Sequence, residues 1–194
     1  ITVLALQRGL APDLAGIVLV APALWGGEHM SWWYRAPLWL AAHTRPQATM
    51  TGSSLQVWPS DNQAMLQQMS ADAHVLHQSR VDAIYGITQL MRRAYELPAP
   101  KSTSTLLLYG AHDEVIPKRP IWSVFKRWQE NPQVRLAYYA EGYHMLTRDL
   151  QADRVYADIG QWLRTPEAAL PSGADHESTA RLQADQHKTR WFHP

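Results

Sequence analysis

Three short apolar runs stand out along the chain: Gly16-Ile-Val-Leu-Val-Ala-Pro22, Thr105-Leu-Leu-Leu-Tyr-Gly110 and Val134-Arg-Leu-Ala-Tyr-Tyr139. The first two are continuously apolar and bounded by turn-forming residues, as strands buried on both faces of a parallel sheet read. The third alternates in part, which suits a strand nearer the sheet edge. Segments of helical period separate them. Ile121, Val124, Phe125 and Trp128 share one face at i, i+3, i+4, i+7, and Val155, Ile159, Trp162 and Leu163 repeat the pattern. A longer amphipathic helix is predicted from Arg80 to Tyr95, with Val81, Ile84, Tyr85, Thr88, Leu90 and Met91. Strands alternating with helices predict an α/β fold, a parallel sheet with flanking helices.

Two stretches break the alternation. Residues 25–79 separate the first strand from the next strand–helix unit by far more than the usual connection of about 2–6 residues. This stretch is rich in Trp, Met and Leu, with helical segments near Trp33–His43 and Asp61–Met69. It reads as a helical cap inserted over a site. From about Thr165 the sequence turns polar and loses its periodicity, with Pro166, Pro171, Gly173, Asp175 and Glu177. A disordered tail is predicted there, with Trp191-Phe192 an unexplained apolar end. The predicted organisation is α/β core over 1–24, cap over 25–79, α/β core over 80–164 and tail over 165–194.

Composition narrows the partners. A formal net charge of +1 over 194 residues argues against nucleic acid. The basic pairs Arg92-Arg93, Lys118-Arg119 and Lys126-Arg127 are scattered and read as solvated helix faces. With no cysteine, disulfides, thiolate metal sites and a cysteine nucleophile are excluded. His74 and His77 lack a third ligand at helical spacing, so no metal is expected. The first residue is Ile, and Ile1 to Arg8 reads as the middle of an apolar helix. The chain is therefore expected to be truncated at its N-terminus, so a targeting segment is not visible and the cytoplasm is favoured only by default. No apolar run reaches the roughly 18 residues of a membrane span.

The candidate chemistry sits just beyond the second and third strands, where doubly wound folds place functional residues. Gly110-Ala-His-Asp-Glu-Val-Ile-Pro117 would hold the Asp113 carboxylate on a tight turn at the sheet rim. Glu141-Gly-Tyr-His-Met-Leu146 would present His144, with Gly142 permitting the turn. An acid and a base on successive strand ends suit a histidine whose tautomer is fixed by a carboxylate. His112 reads as a surface loop residue. Ser53, Ser54 and Ser104 lack the flanks of a nucleophile, and Ser104 enters a strand instead of leaving one.

Gly-x-x-Asp-x-Val-x-Pro, followed about 30 residues later by Gly-x-His, resembles the acid and base motifs of α/β-hydrolases. Within that superfamily the chain is similar to the monoacylglycerol lipase and lysophospholipase branch, labelled serine aminopeptidase-like, a sequence-group label from which no peptidase activity is inferred. The matching stretches are Val20-Ala-Pro-Ala-Leu-Trp25, Pro59-Ser-Asp-Asn62 and Arg80-Val-Asp-Ala-Ile-Tyr-Gly86. The resemblance covers about residues 1–164. It implies the C-terminal part of an α/β-hydrolase fold, a Ser-Asp-His triad containing Asp113 and His144, no cofactor, and a monoacylglycerol, lysophospholipid or similar ester as substrate. The Trp-rich cap reads as core packing or as the walls of an acyl-chain pocket, and both can hold. Trp25, Trp32 and Trp33 are its candidate substrate-binding residues, and the cap could also touch a membrane surface transiently.

The chain departs from that family in one large respect: no serine stands in a Gly-x-Ser-x-Gly motif. The resemblance puts the nucleophile roughly five residues before Ile1, so the chain alone is expected to be inactive. Two alternatives stay open: an α/β-hydrolase with an Asp nucleophile, of the epoxide hydrolase or dehalogenase type, and a non-catalytic fragment or split-gene product.

Overall fold

Residues 1–10, 14–51 and 57–191 are described in the computed structural model. The chain begins with α1 (Thr2–Gln7) and β1 (Gly16–Val20), then α2 (Trp32–Thr44), β2 (Thr49–Thr51) and α3 (Gln63–Ala71). It continues through β3 (Gln78–Arg80), α4 (Val81–Glu96), β4 (Ser104–Gly110) and α5 (Lys118–Trp128). β5 (Val134–Tyr139), α6 (Ala152–Arg164) and α7 (Ala174–Trp191) complete it.

The three apolar runs form one parallel sheet in the order β1-β4-β5. Gly16 to Val20 pair with Ser104 to Leu108, and Thr105 to Gly110 pair with Val134 to Tyr139. β4 is central, which is why its sequence is apolar on both faces. Successive side chains alternate between two layers. Leu107 and Tyr109 join Ile17, Leu19, Leu136 and Tyr138 against Ile121, Val124, Phe125 and Trp128 of α5. Leu106 and Leu108 join Ala137 and Tyr139 against Val155 and Trp162 of α6. Leu106, Leu107 and Leu108 are wholly buried, and each such side chain is worth about 1.5–3 kcal/mol relative to exposure.

Element ends differ from expectation for local reasons. β1 stops at Val20 because Ala21 takes φ 41°, a left-handed conformation that turns the chain out of the sheet before Pro22. α5 starts at Lys118, three residues early, since Pro120 is tolerated in a first turn.

The insertion carries α2 and α3, close to the two expected helices, together with a small antiparallel sheet in which Thr49, Met50 and Thr51 face Arg80, Ser79 and Gln78. Those two strands are three residues long and exposed throughout, so they leave no hydrophobic alternation to read. α2 buries no residue, and Trp32, Trp33, Tyr34 and Trp39 are all more than half exposed.

The tail departs most from its expectation: residues 174–191 are helical, not disordered. Ala174 packs in the layer of α6 and Leu182 in the layer of α5, so α7 crosses the outer edge of β5 from one face of the sheet to the other. Eight residues of helix rise about 12 Å, close to the roughly 10 Å between packed layers. The docking side is Ala174, Ser178 and Leu182, all buried at i, i+4 and i+8. Two of the three are too small or too polar to register as hydrophobic periodicity, and that hid the helix. Asp158, fully buried, anchors the approach by accepting from Tyr139 Oη (2.7 Å), the Ser172 backbone N–H (2.9 Å) and the Ser172 hydroxyl.

Candidate active site

The loops after β4 and β5 meet at the C-terminal end of the sheet. Asp113 Oδ1 accepts from the backbone N–H groups of Val115 (2.9 Å) and Ile116 (2.7 Å), a local turn characteristic of Asp. That leaves Oδ2, which lies 2.9 Å from His144 Nδ1. The Asp113 side chain is completely buried, whereas that of His144 is 27% exposed. Beneath them the Tyr109 hydroxyl donates to the carbonyl of Ile116 at 2.8 Å, and burial beside Asp113 raises its pKa strongly, keeping it a neutral donor.

Two glycines allow the loops to approach. A Cβ on Gly110 would lie 2.4 Å from the Gly142 carbonyl oxygen, and one on Gly142 would lie 2.4 Å from Leu146 Cδ2. Gly142 has no positive φ, so it is needed for closeness and not, as the sequence suggested, for an unusual turn. Backbone bonds from Ala111 N–H to Tyr139 O (2.8 Å) and from His112 N–H to Gly142 O (2.9 Å) sew the two loops together. His112 is exposed and stacks on Tyr143, with ring centroids 5.2 Å apart.

With Nδ1 engaged by a buried carboxylate, the imidazole is held so that Nε2 is the nitrogen left to accept a proton. A carboxylate fixed by two backbone donors cannot rotate away from the ring.

The cap candidates lie elsewhere. Trp32 and Trp33 stack at 3.6 Å between centroids on α2. Trp32 lines a cleft of about 510 Å³ with Met30, Trp39, Tyr85 and others, and neither Asp113 nor His144 lines it. Trp25 packs against the core layer of α5, and its buried Nε1 has no hydrogen-bond partner among the described residues. Ser104 is at the opposite end of β4 from Asp113, where its hydroxyl reaches Gln133 Oε1 at 3.4 Å. Ser53 and Ser54 lie outside the described residues. Among the described residues no three His, Asp or Glu side chains gather as for a metal ion, and no helix is long and apolar enough to cross a membrane.

The family model for serine aminopeptidase, S33 (Hydrolase_4), matches residues 1–151. Among solved structures, the monoacylglycerol lipase of Paleococcus ferrophilus has a TM-score of 0.69 at 18% identity, over 83% of this chain and 63% of that enzyme. A soluble variant of monoglyceride lipase from Saccharomyces cerevisiae, in complex with a substrate analog, gives 0.65 at 13% identity, over 84% of this chain and 61% of that one. A structure of the metagenome-derived lipolytic enzymes LipS and LipT gives 0.58 at 17% identity, over 84% and 60%. The chain thus spans 60–63% of the length of these structures, and the likeness at such identities is one of fold. No curated protein sequence matches the chain.

Proposed function

Because the chain belongs to the Hydrolase_4 family (serine aminopeptidase, S33) of α/β-hydrolases, we propose that it supplies the acid and base of a serine hydrolase acting on carboxylic esters such as monoacylglycerols or lysophospholipids. The observation that carries this reading is the 2.9 Å contact between His144 Nδ1 and a buried Asp113 whose other oxygen is tied by two backbone donors. In the proposed cycle a serine contributed by sequence outside residues 1–194 attacks the ester carbonyl carbon while His144 Nε2 takes its proton. His144 then returns that proton to the departing alcohol oxygen, and a water activated by the same nitrogen hydrolyses the acyl-enzyme. Asp113 stabilises the imidazolium in both halves. The similar solved structures include a monoacylglycerol lipase and a monoglyceride lipase, which supports an acylglycerol-type ester as substrate.

The test uses a polypeptide that includes the coding sequence upstream of Ile1. It is expected to hydrolyse p-nitrophenyl esters and monoacylglycerols, and His144→Ala should remove about 10³–10⁶ of the rate, since triad members act as a unit. Wild-type turnover by that variant would end the assignment. An upstream Gly-x-Asp-x-Gly would favour the Asp-nucleophile chemistry instead, and an upstream stop codon the non-catalytic reading.

The cap is proposed to present substrate from a lipid surface. α2 exposes Trp32, Trp33, Tyr34 and Trp39 beside Arg35, and it has no acidic residue, a composition that suits a membrane interface. Replacing Trp32 and Trp33 with Ala is expected to weaken sedimentation with anionic vesicles and to shift chain-length preference. Unchanged binding and unchanged preference would refute this role.

A further inference from the structure

Five consecutive residues of the cap, Trp58 to Asn62, are each hydrogen-bonded to one of the two loops that carry Asp113 and His144. The backbone N–H of Trp58 donates to Glu114 Oε2 at 2.7 Å, directly beside Asp113. The Pro59 carbonyl accepts from the N–H of Met145, directly beside His144, at 2.8 Å. Ser60 Oγ donates to Asp149 Oδ1 at 2.7 Å, while Asp149 Oδ2 accepts from the Tyr143 N–H at 2.8 Å. Asp61 Oδ1 accepts from the Leu150 N–H at 2.8 Å, and Asn62 Nδ2 donates to the Arg148 carbonyl at 3.0 Å. Asn62 Oδ1 meanwhile accepts from the Met65 N–H and caps α3.

We infer that residues 58–62 are a splint that holds the Asp113–His144 pair in register, with Ser60 and Asp149 as its positioning residues. The central bond is the strongest indication. Ser60 is 1% exposed and Asp149 6% exposed, and a buried carboxylate is retained only when its oxygens are satisfied. Here one oxygen is satisfied by the cap and the other by the residue preceding His144, so a single carboxylate joins cap to base loop. Because Glu114 receives the other end, the same five residues touch the acid loop as well. A cap built this way cannot shift at residues 58–62 without moving the catalytic pair. The geometry therefore couples the position of residues 58–62 to the setting of His144.

The inference rests on the reading of Asp113 and His144 as a catalytic pair, but its test does not depend on ester turnover. The readout is the tautomer of neutral His144, observed through its ring ¹⁵N shifts by NMR on the 194-residue chain. Engagement with Asp113 selects the Nδ1–H form. Ser60→Ala and Asp149→Asn are each expected to lower the ratio of Nδ1–H to Nε2–H by about tenfold, the scale of one lost hydrogen bond. Ser60→Thr, which keeps the hydroxyl, is expected to restore it. Glu114→Ala, at an exposed position, should move the ratio in the same direction by a smaller factor. Should the two buried variants fail to fold, Glu114→Ala decides the matter alone. A wild-type tautomer ratio in every folded variant of this set would overturn the splint. A change in the ratio would stand even if the polypeptide hydrolysed no ester.

Discussion

Gly110→Ala should damage the candidate site more than any other single methyl addition. Its Cβ would fall 2.4 Å from Gly142 O, 2.5 Å from Gly142 C and 2.5 Å from Tyr143 O. These are backbone atoms, so no rotamer change can clear them. Ordinary contact begins near 3.4 Å, so the two loops must separate by about 1 Å, a displacement that by itself can cost about 10² in rate. The same shift would stretch the 2.9 Å bond from His112 N–H to Gly142 O and the 2.9 Å contact between His144 and Asp113. Overpacking of this kind costs about 1–3 kcal/mol, and in a domain of this size each kcal/mol lowers Tm by about 2–4 °C. The matched control is Gly86→Ala in the interior of α4, where the added Cβ meets nothing within 4 Å. There the exchange should raise stability by about 0.5–1 kcal/mol through helix propensity. Thermal melts followed by circular dichroism give both signs in one experiment. Equal Tm values for Gly110→Ala and wild type would refute the close approach of the two loops.

Two further outcomes follow from buried groups. Desolvation raises the pKa of Asp149, aided by the charges of Asp61 and Asp113, and outweighs the lowering by its bonds from Ser60 and Tyr143. The folded state therefore holds this proton more tightly than the unfolded state, so stability should fall as pH rises from about 4, the ordinary Asp value, through the raised one. The difference in Tm between wild type and Asp149→Asn should decline across that window, and a difference that grows with pH would contradict the burial. Leu182→Ala should cost about 2–5 kcal/mol if α7 is docked. An unchanged melting profile would return residues 174–191 to the status of a loose tail.

What the sequence revealed follows from where each signal originates. β4 and α5 were legible because their own side chains make the core, so burial is written as local periodicity. The 2.9 Å meeting of Asp113 with His144 could be anticipated because their turn residues accompany them in short motifs. α7 was not, since its docking side is built largely from Ala174 and Ser178, whose burial depends on a partner surface and not on their own hydrophobicity. Ser60 and Asp149 were equally hidden, being partners across 89 residues with no periodicity to link them. The motif Pro59-Ser-Asp-Asn62 carries part of the family likeness in the sequence, but its bonds to the two loops exist only in three dimensions.

The path of α7 across the edge of β5 also sets an order of opening. β4 has a hydrogen-bonded strand on each side, so its amides can exchange with solvent only when the sheet itself comes apart. The outer side of β5 is covered instead by one helix, and the described side chains holding it there include the ion pair of Arg135 with Asp175 (2.9 Å), the bond from Trp122 Nε1 to Asp185 (2.9 Å) and the apolar contact of Leu182. Lifting such a helix requires far less than global unfolding, and sub-global openings of this kind are cooperative units in their own right. Deuterium should therefore enter α7 first, then the outer face of β5, and β4 last. The end of the sheet that carries the His144 loop would breathe while the strand that leads to Asp113 stays closed.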